Sequence, residues 1–210
     1  MKVVIGKTSL RRLLKWVQRA FFAGGILMLG YCAVVLLDLT IFQHREKQRL
    51  ESALNERPGT ENAPPQPATT SALKAASFAG PDGLIGRIDI ARLGISVMVV
   101  EGTGKRTLRH AAGHIKGTAL PGELGNVGIS GHRDTFFRPL RNVQLNDIVT
   151  LTTPNGEYRY RVLSTKVVKP SDVSVLNSDG GEILTLVTCY PFYFVGAAPG
   201  RFIVRSQRIP

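Results

Sequence analysis

A cysteine attacks a carbonyl only as its thiolate, and a free thiol near neutral pH is only a few per cent ionised, so it needs a base beside it. The chain has two cysteines, Cys32 and Cys189, and four histidines, His44, His110, His114 and His132. Cys189 closes the apolar run Ile183-Leu-Thr-Leu-Val-Thr-Cys, and His132 closes Asn126-Val-Gly-Ile-Ser-Gly-His. A thiol and an imidazole at the ends of two strand-like runs suit nucleophilic attack on a carbonyl, with the imidazole moving the protons. Each also has a plainer reading, Cys189 as a small buried apolar side chain and His132 as a satisfied strand-end residue.

The remaining candidates are weaker. His44 belongs to the surface beside an apolar segment. His110 and His114 stand four residues apart, a spacing that can hold a metal on a helix, but Gly113 interrupts that helix and no third ligand cluster accompanies them. Neither a metal nor a cofactor is expected. Asp134 reads as a solvated loop carboxylate, with orientation of a neighbour as the alternative.

Charge then places these residues in a compartment. Lys and Arg number 27 against 15 Asp and Glu, a net +12. Lys2, Lys7, Arg11, Arg12, Lys15 and Arg19 supply six of these charges with no acid among residues 1–19. Half the basic excess therefore sits in a leader, which argues for an anionic membrane surface and against nucleic acid. Directly after it, residues 20–37 are uncharged, long enough to cross a ~30 Å hydrocarbon layer as a helix. That run exceeds the roughly 7–15 residues of a signal-peptide core and ends in no small-x-small site. Cys32 lies within it as an apolar filler, and Tyr31 is too bulky to precede a lipidated cysteine.

The sequence thus predicts a cytoplasmic leader at 1–19 and a single-pass transmembrane helix at 20–42, with everything beyond it extracytoplasmic by the positive-inside rule. Residues 43–51 are mixed in charge and compatible with a helix. Residues 52–80 carry Pro58, Pro64, Pro65 and Pro67 among small polar residues and read as a flexible linker, which completes a segment 43–80. A folded domain follows at 81–210. Outside the cytoplasm disulfides are permitted, yet Cys189 has no partner there, so its presence needs a reason, either burial as a small apolar side chain or reactivity.

Within that domain apolar residues alternate in short β-branched runs: 84–90, 95–100, 127–130, 148–153, 158–168, 183–188 and 202–205. Such runs separated by turn residues define an all-β barrel or sandwich. Pro154-Asn155-Gly156 joins two of them as a hairpin, because Asn-Gly accepts positive φ. Two short helices are expected, at 105–112 and 135–140.

Three blocks carry a resemblance: Gly128-Ile-Ser-Gly-His-Arg-Asp-Thr-Phe-Phe-Arg-Pro-Leu140, Thr185-Leu-Val-Thr-Cys-Tyr-Pro191 and Ala198-Pro-Gly-Arg-Phe-Ile-Val204. In kind and order they resemble the signature blocks of sortases. Cys-Tyr-Pro-Phe, Ala-Pro-Gly-Arg and the upstream Gly113-His-Ile-Lys-Gly-Thr-Ala-Leu-Pro-Gly-Glu123 are similar to class D sortases. The likeness spans about residues 84 to 208, and the basic leader, apolar span and linker fit it too. It implies a closed eight-stranded β-barrel with short helices, preceded by one N-terminal transmembrane helix, and a membrane-anchored cysteine transpeptidase. By the same resemblance Cys189 is the nucleophile, His132 the general acid/base and Arg201 the third catalytic residue. The implied partners are membrane lipid, substrate proteins bearing an LPXTG-like C-terminal sorting signal, and an amine acceptor of the cell wall or a pilin. His114 falls in a block typical of the class, at most behind the reacting groups. No acidic cluster suggests bound calcium.

Two other readings compete. L,D-transpeptidases also pair Cys and His on a β fold, but a few residues apart, whereas here 189 minus 132 gives 57. A tethered β-domain that binds cell-wall polymer would use the remaining positive charge without needing His132, Cys189 and Arg201 together.

Overall fold

The computed structural model describes residues 7–55, 83–194 and 196–210. The expected linker, apart from its first few residues, and the first six residues of the leader lie outside the described residues. One helix, α1, runs Lys7–Asn55, so the span expected at 20–42 is the middle of a longer element. Its stretch Leu14–Ser52 contains a window long and apolar enough to cross a membrane, and none of that window is buried. Cys32 lies exposed on it.

The chain divides into two units, Met1–Phe42 and Gln43–Pro210. The second begins with the last turns of α1. There the Gln43 amide donates to His110 O at 2.5 Å and accepts from Met98 N at 3.1 Å, and Leu50 is buried.

Eight strands follow: β1 Leu84–Ile90, β2 Ile95–Glu101, β3 Ala112–His114, β4 Gly125–Ser130, β5 Ile148–Thr153, β6 Gly156–Val168, β7 Glu182–Tyr190 and β8 Gly200–Ile209. They close into a barrel in the order β1-β2-β3-β4-β7-β8-β6-β5, so each of the described strands is paired on both sides. Two neighbours are parallel, β2 with β3 and β4 with β7; the rest are antiparallel. Seven strands fall on the expected runs, and each extends by a residue or more or matches.

The eighth, β3, was not expected; it begins at Ala112, the last residue of the helix expected at 105–112. Helix α2 covers only Lys105–His110, and the chain then enters the sheet. Three residues, Ala-Gly-His, show no alternation to read; pairing of Val99 with Ala112 and of Gly113 with Ser130 makes them a strand. Gly113 is required there because a Cβ would lie 2.3 Å from Gly102 O. The other expected helix is turn followed by a 3-10 helix, Arg138–Asn142. At the hairpin only Gly156 takes positive φ, at 144°; Asn155 does not.

Alternation sorts the side chains. Ile88, Ile90, Val97, Val99, Val127, Ile129, Val149, Leu151, Leu184, Leu186 and Val204 meet inside the barrel with Phe137 and Tyr160. Burial of each such side chain contributes about 1.5–3 kcal/mol, which offsets the cost of ordering a sheet of largely non-local contacts.

Candidate active site

The parallel ladder between β4 and β7 has a constant offset, from Gly125 opposite Glu182 to Ser130 opposite Val187. That offset is 57, the same number that separates His132 from Cys189. Two further bonds carry the alignment past the end of β4: Gly131 N donates to Val187 O at 3.1 Å, and Thr188 Oγ1 donates to Gly131 O at 2.8 Å. His132 thus comes level with Cys189. On the other side of β7, Cys189 stands opposite Arg201 in the antiparallel ladder with β8. The structure therefore brings Cys189 and Arg201 onto paired strands and His132 just past the end of neighbouring β4, at one end of the barrel.

They also share a face. Leu184 and Leu186 of β7, Val127 and Ile129 of β4 and Val204 of β8 point into the core. Side chains alternate along a strand, so Cys189, His132 and Arg201 belong to the outer surface of the wall. Lower on that surface the strands are covered. A Cβ on Gly128 would lie 3.0 Å from Thr118 and 3.2 Å from both Ile115 and Leu176, so the β3–β4 and β6–β7 connections meet above it. Buried Asn126 fastens the second of these, donating to Val175 O at 3.1 Å and Asn177 O at 3.3 Å while accepting from Thr185 Oγ1 at 2.7 Å. Higher up the cover ends: Ser130, Val187 and Cys189 are half-buried and His132 is exposed. The result is a trench on the outer wall that opens at the thiol.

Arg201 is half-buried, and its Nη1 donates to the O of Gly200, its neighbour at the start of β8, at 2.9 Å and to Ala198 O in the β7–β8 loop at 3.4 Å. Its Nη2 and Nε have no partner among the described residues and remain able to meet a ligand. Asp134 is exposed and has no hydrogen bond or ion pair among the described residues.

His114 is buried, and its Nδ1 lies 2.7 Å from Glu101 Oε2. Its Nε2 lies 3.0 Å from both Ala119 O and Thr118 Oγ1. Thr118 Oγ1 donates to Ile115 O at 2.7 Å and accepts from Gly128 N at 3.1 Å, so Nε2 donates. This residue ties the end of β2 to the β3–β4 connection that walls the trench. Sequence reading overlooked Asn126 and Thr188; a lone Asn inside an apolar strand run was the available signal for the first, and Thr188 gave none.

The chain matches the Sortase domain family model over residues 88–209 and belongs to the sortase family. Members are cysteine transpeptidases, which sets aside the L,D-transpeptidase and wall-binding readings. It is 33% identical over 192 residues to sortase D of Bacillus subtilis (strain 168), covering 89% of this chain and 94% of that one. It is 30% identical to sortase A of Listeria monocytogenes over 127 residues, covering 59% of this chain and 57% of that protein. Among solved structures it resembles a sortase D5 transpeptidase of Clostridium perfringens, with a TM-score of 0.63, 26% identity, and coverage of 80% of this chain and 99% of that one. Sortase C-1 of Actinomyces oris gives a TM-score of 0.59 at 27% identity, covering 80% and 98%.

Proposed function

We propose that the protein is a membrane-anchored transpeptidase that cleaves an LPXTG-like sorting signal through a thioester on Cys189. The observation that supports the reading is the register: two ladders on either side of β7 align His132, Cys189 and Arg201 at the open end of one trench. The Cys189 thiolate attacks the carbonyl carbon of the substrate threonine, and the tetrahedral adduct places negative charge on the carbonyl oxygen. Arg201, whose planar fork stays charged, donates to that oxygen or to a neighbouring substrate carbonyl. The C–N bond breaks, His132 gives a proton to the departing amine, and a thioester remains. An incoming amine from a cell-wall precursor or a pilin lysine then attacks, His132 takes its proton, and the thiolate is released.

The basic leader and apolar segment of α1 support a single-pass anchor with the N-terminus in the cytoplasm and residues 81–210 outside. The deciding experiment uses the full-length protein in detergent with a sorting peptide. Intact mass should show an acyl adduct on the wild-type chain, released by hydroxylamine, and none on Cys189→Ala. Cleavage by the Cys189→Ala protein would defeat the reading. For the topology, a reporter fused after Pro210 should behave as extracytoplasmic, and a cytoplasmic signal would reverse the assignment.

A further inference from the structure

One guanidinium beside the trench has no role in these steps. Arg133 follows His132 directly, yet its side chain reaches across to the β7–β8 loop. Its Nη1 donates to Pro191 O at 3.1 Å, and its Nη2 donates to Phe194 O at 2.6 Å and Gly196 O at 3.0 Å, with the guanidinium carbon 5.9 Å from the Phe194 ring. Three carbonyls of one loop thus converge on a single cation. Arg201 holds the far end of the same loop through Ala198 O. His132 itself has no side-chain hydrogen bond among the described residues, so its place depends on the backbone that leads into Arg133.

We infer that Arg133 is a positioning residue whose guanidinium fastens the β7–β8 loop to the end of β4 and so sets His132 and Arg201 relative to Cys189. The inference rests on the proposed transpeptidation but is a property of the fold. A planar fork can serve carbonyls on separate sides at once; a lysine nitrogen is a single point and cannot span Pro191 O and the Phe194 and Gly196 pair together. Phe192 anchors the start of the loop against the core and the Phe202 ring, whereas Tyr193, Phe194, Gly196 and Ala197 are exposed, so the middle of the loop is where such a device would act.

The test compares wild-type, Arg133→Ala and Arg133→Lys full-length proteins in detergent. Amide exchange in the β7–β8 loop should quicken by about tenfold or more in both variants, with β4 and β7 unchanged. The pH profile for alkylation of Cys189 by iodoacetamide, followed on its own peptide by mass, should shift from that of wild type, because the charges around the thiol have moved. On a sorting peptide kcat should fall about tenfold or more. Loop exchange within about twofold of wild type would overturn the inference. So would faster loop exchange with an unchanged alkylation profile, since the loop would then be held without positioning anything. If Arg133→Ala also loosens the strands, Arg133→Lys decides. The exchange and alkylation measurements need no sorting peptide, so an enzyme silent on the peptide fails the proposed function and leaves their outcome standing.

Discussion

Cys189 and Arg201 are register partners in a ladder that runs unbroken from Ile183 opposite Gln207 to Tyr190 opposite Gly200. Directly opposed residues share a face, with Cβ atoms roughly 4.5–5.5 Å apart. The strand backbones, and not the loop at residues 191–199, therefore bring these two side chains together. A slip of one residue would turn Arg201 towards the core. The loop governs something finer, the direction in which the guanidinium points, through Ala198 O.

That division predicts the behaviour of Arg201→Lys. The register survives and the charge stays, but the fork is lost. Loss of one oxyanion donor typically costs ~10²–10³ in rate. Steady-state kcat/KM on a fluorogenic sorting peptide should fall at least about tenfold, with the thermal midpoint unchanged. Activity within roughly threefold of wild type would remove the two-pronged role, and an equal fall accompanied by unfolding would make Arg201 structural.

Gly131 tests the link between packing and alignment. A Cβ there would lie 2.7 Å from the ring of buried Phe137, while the Gly131 carbonyl is held by Thr188. Gly131→Ala must displace the ring or the backbone that leads into His132. Overpacking of this kind costs about 1–3 kcal/mol. Thermal melting should drop and peptide cleavage should fall with it; an unaltered midpoint would mean that Phe137 yields freely.

His114→Ala should leave a hole where Glu101, Thr118 and Ala119 converge. Removing one partner of a buried hydrogen-bonded set costs about 1–3 kcal/mol, read as a lower urea midpoint at constant slope. Because the lost bonds shape a wall of the trench, KM for the donor peptide should rise more than kcat falls. A rise in neither would confine His114 to general stability.

Acid stability should depend on Asp147. Its carboxylate accepts from Arg92 Nε at 2.5 Å and Nη2 at 2.6 Å, and this bond to Arg92 holds its pKa below the ordinary carboxylate value. A depressed folded value contributes stability above the unfolded pKa of about 3.9, lost as pH falls through the folded value. Urea midpoints of wild type and Asp147→Asn should differ near neutral pH and converge on acidification. A difference independent of pH would assign the effect to packing alone. Asp179, lowered by its bond to Arg205, belongs to the same acid limb.

Much of this molecule was legible in one dimension. Alternating apolar runs gave seven strands because a strand with one face in a core must repeat every two residues. The apolar stretch within α1 was visible because a membrane-length helix needs some twenty uncharged residues in a row. Cys189 and His132 were picked out as candidates because each closes a strand-like run, and the motif likeness added Arg201. What a string of residues does not contain is register. Nothing in the separation of 57 says that β4 and β7 run parallel at that same offset, because β5 and β6 intervene and the pairing is set by core packing between distant segments. Strand β3 was hidden for the same reason, since its neighbours on both sides make it a strand. Nothing about Arg133 in the sequence points to the three carbonyls of another loop that surround it in the fold, because long-range polar contacts are decided by where backbones meet.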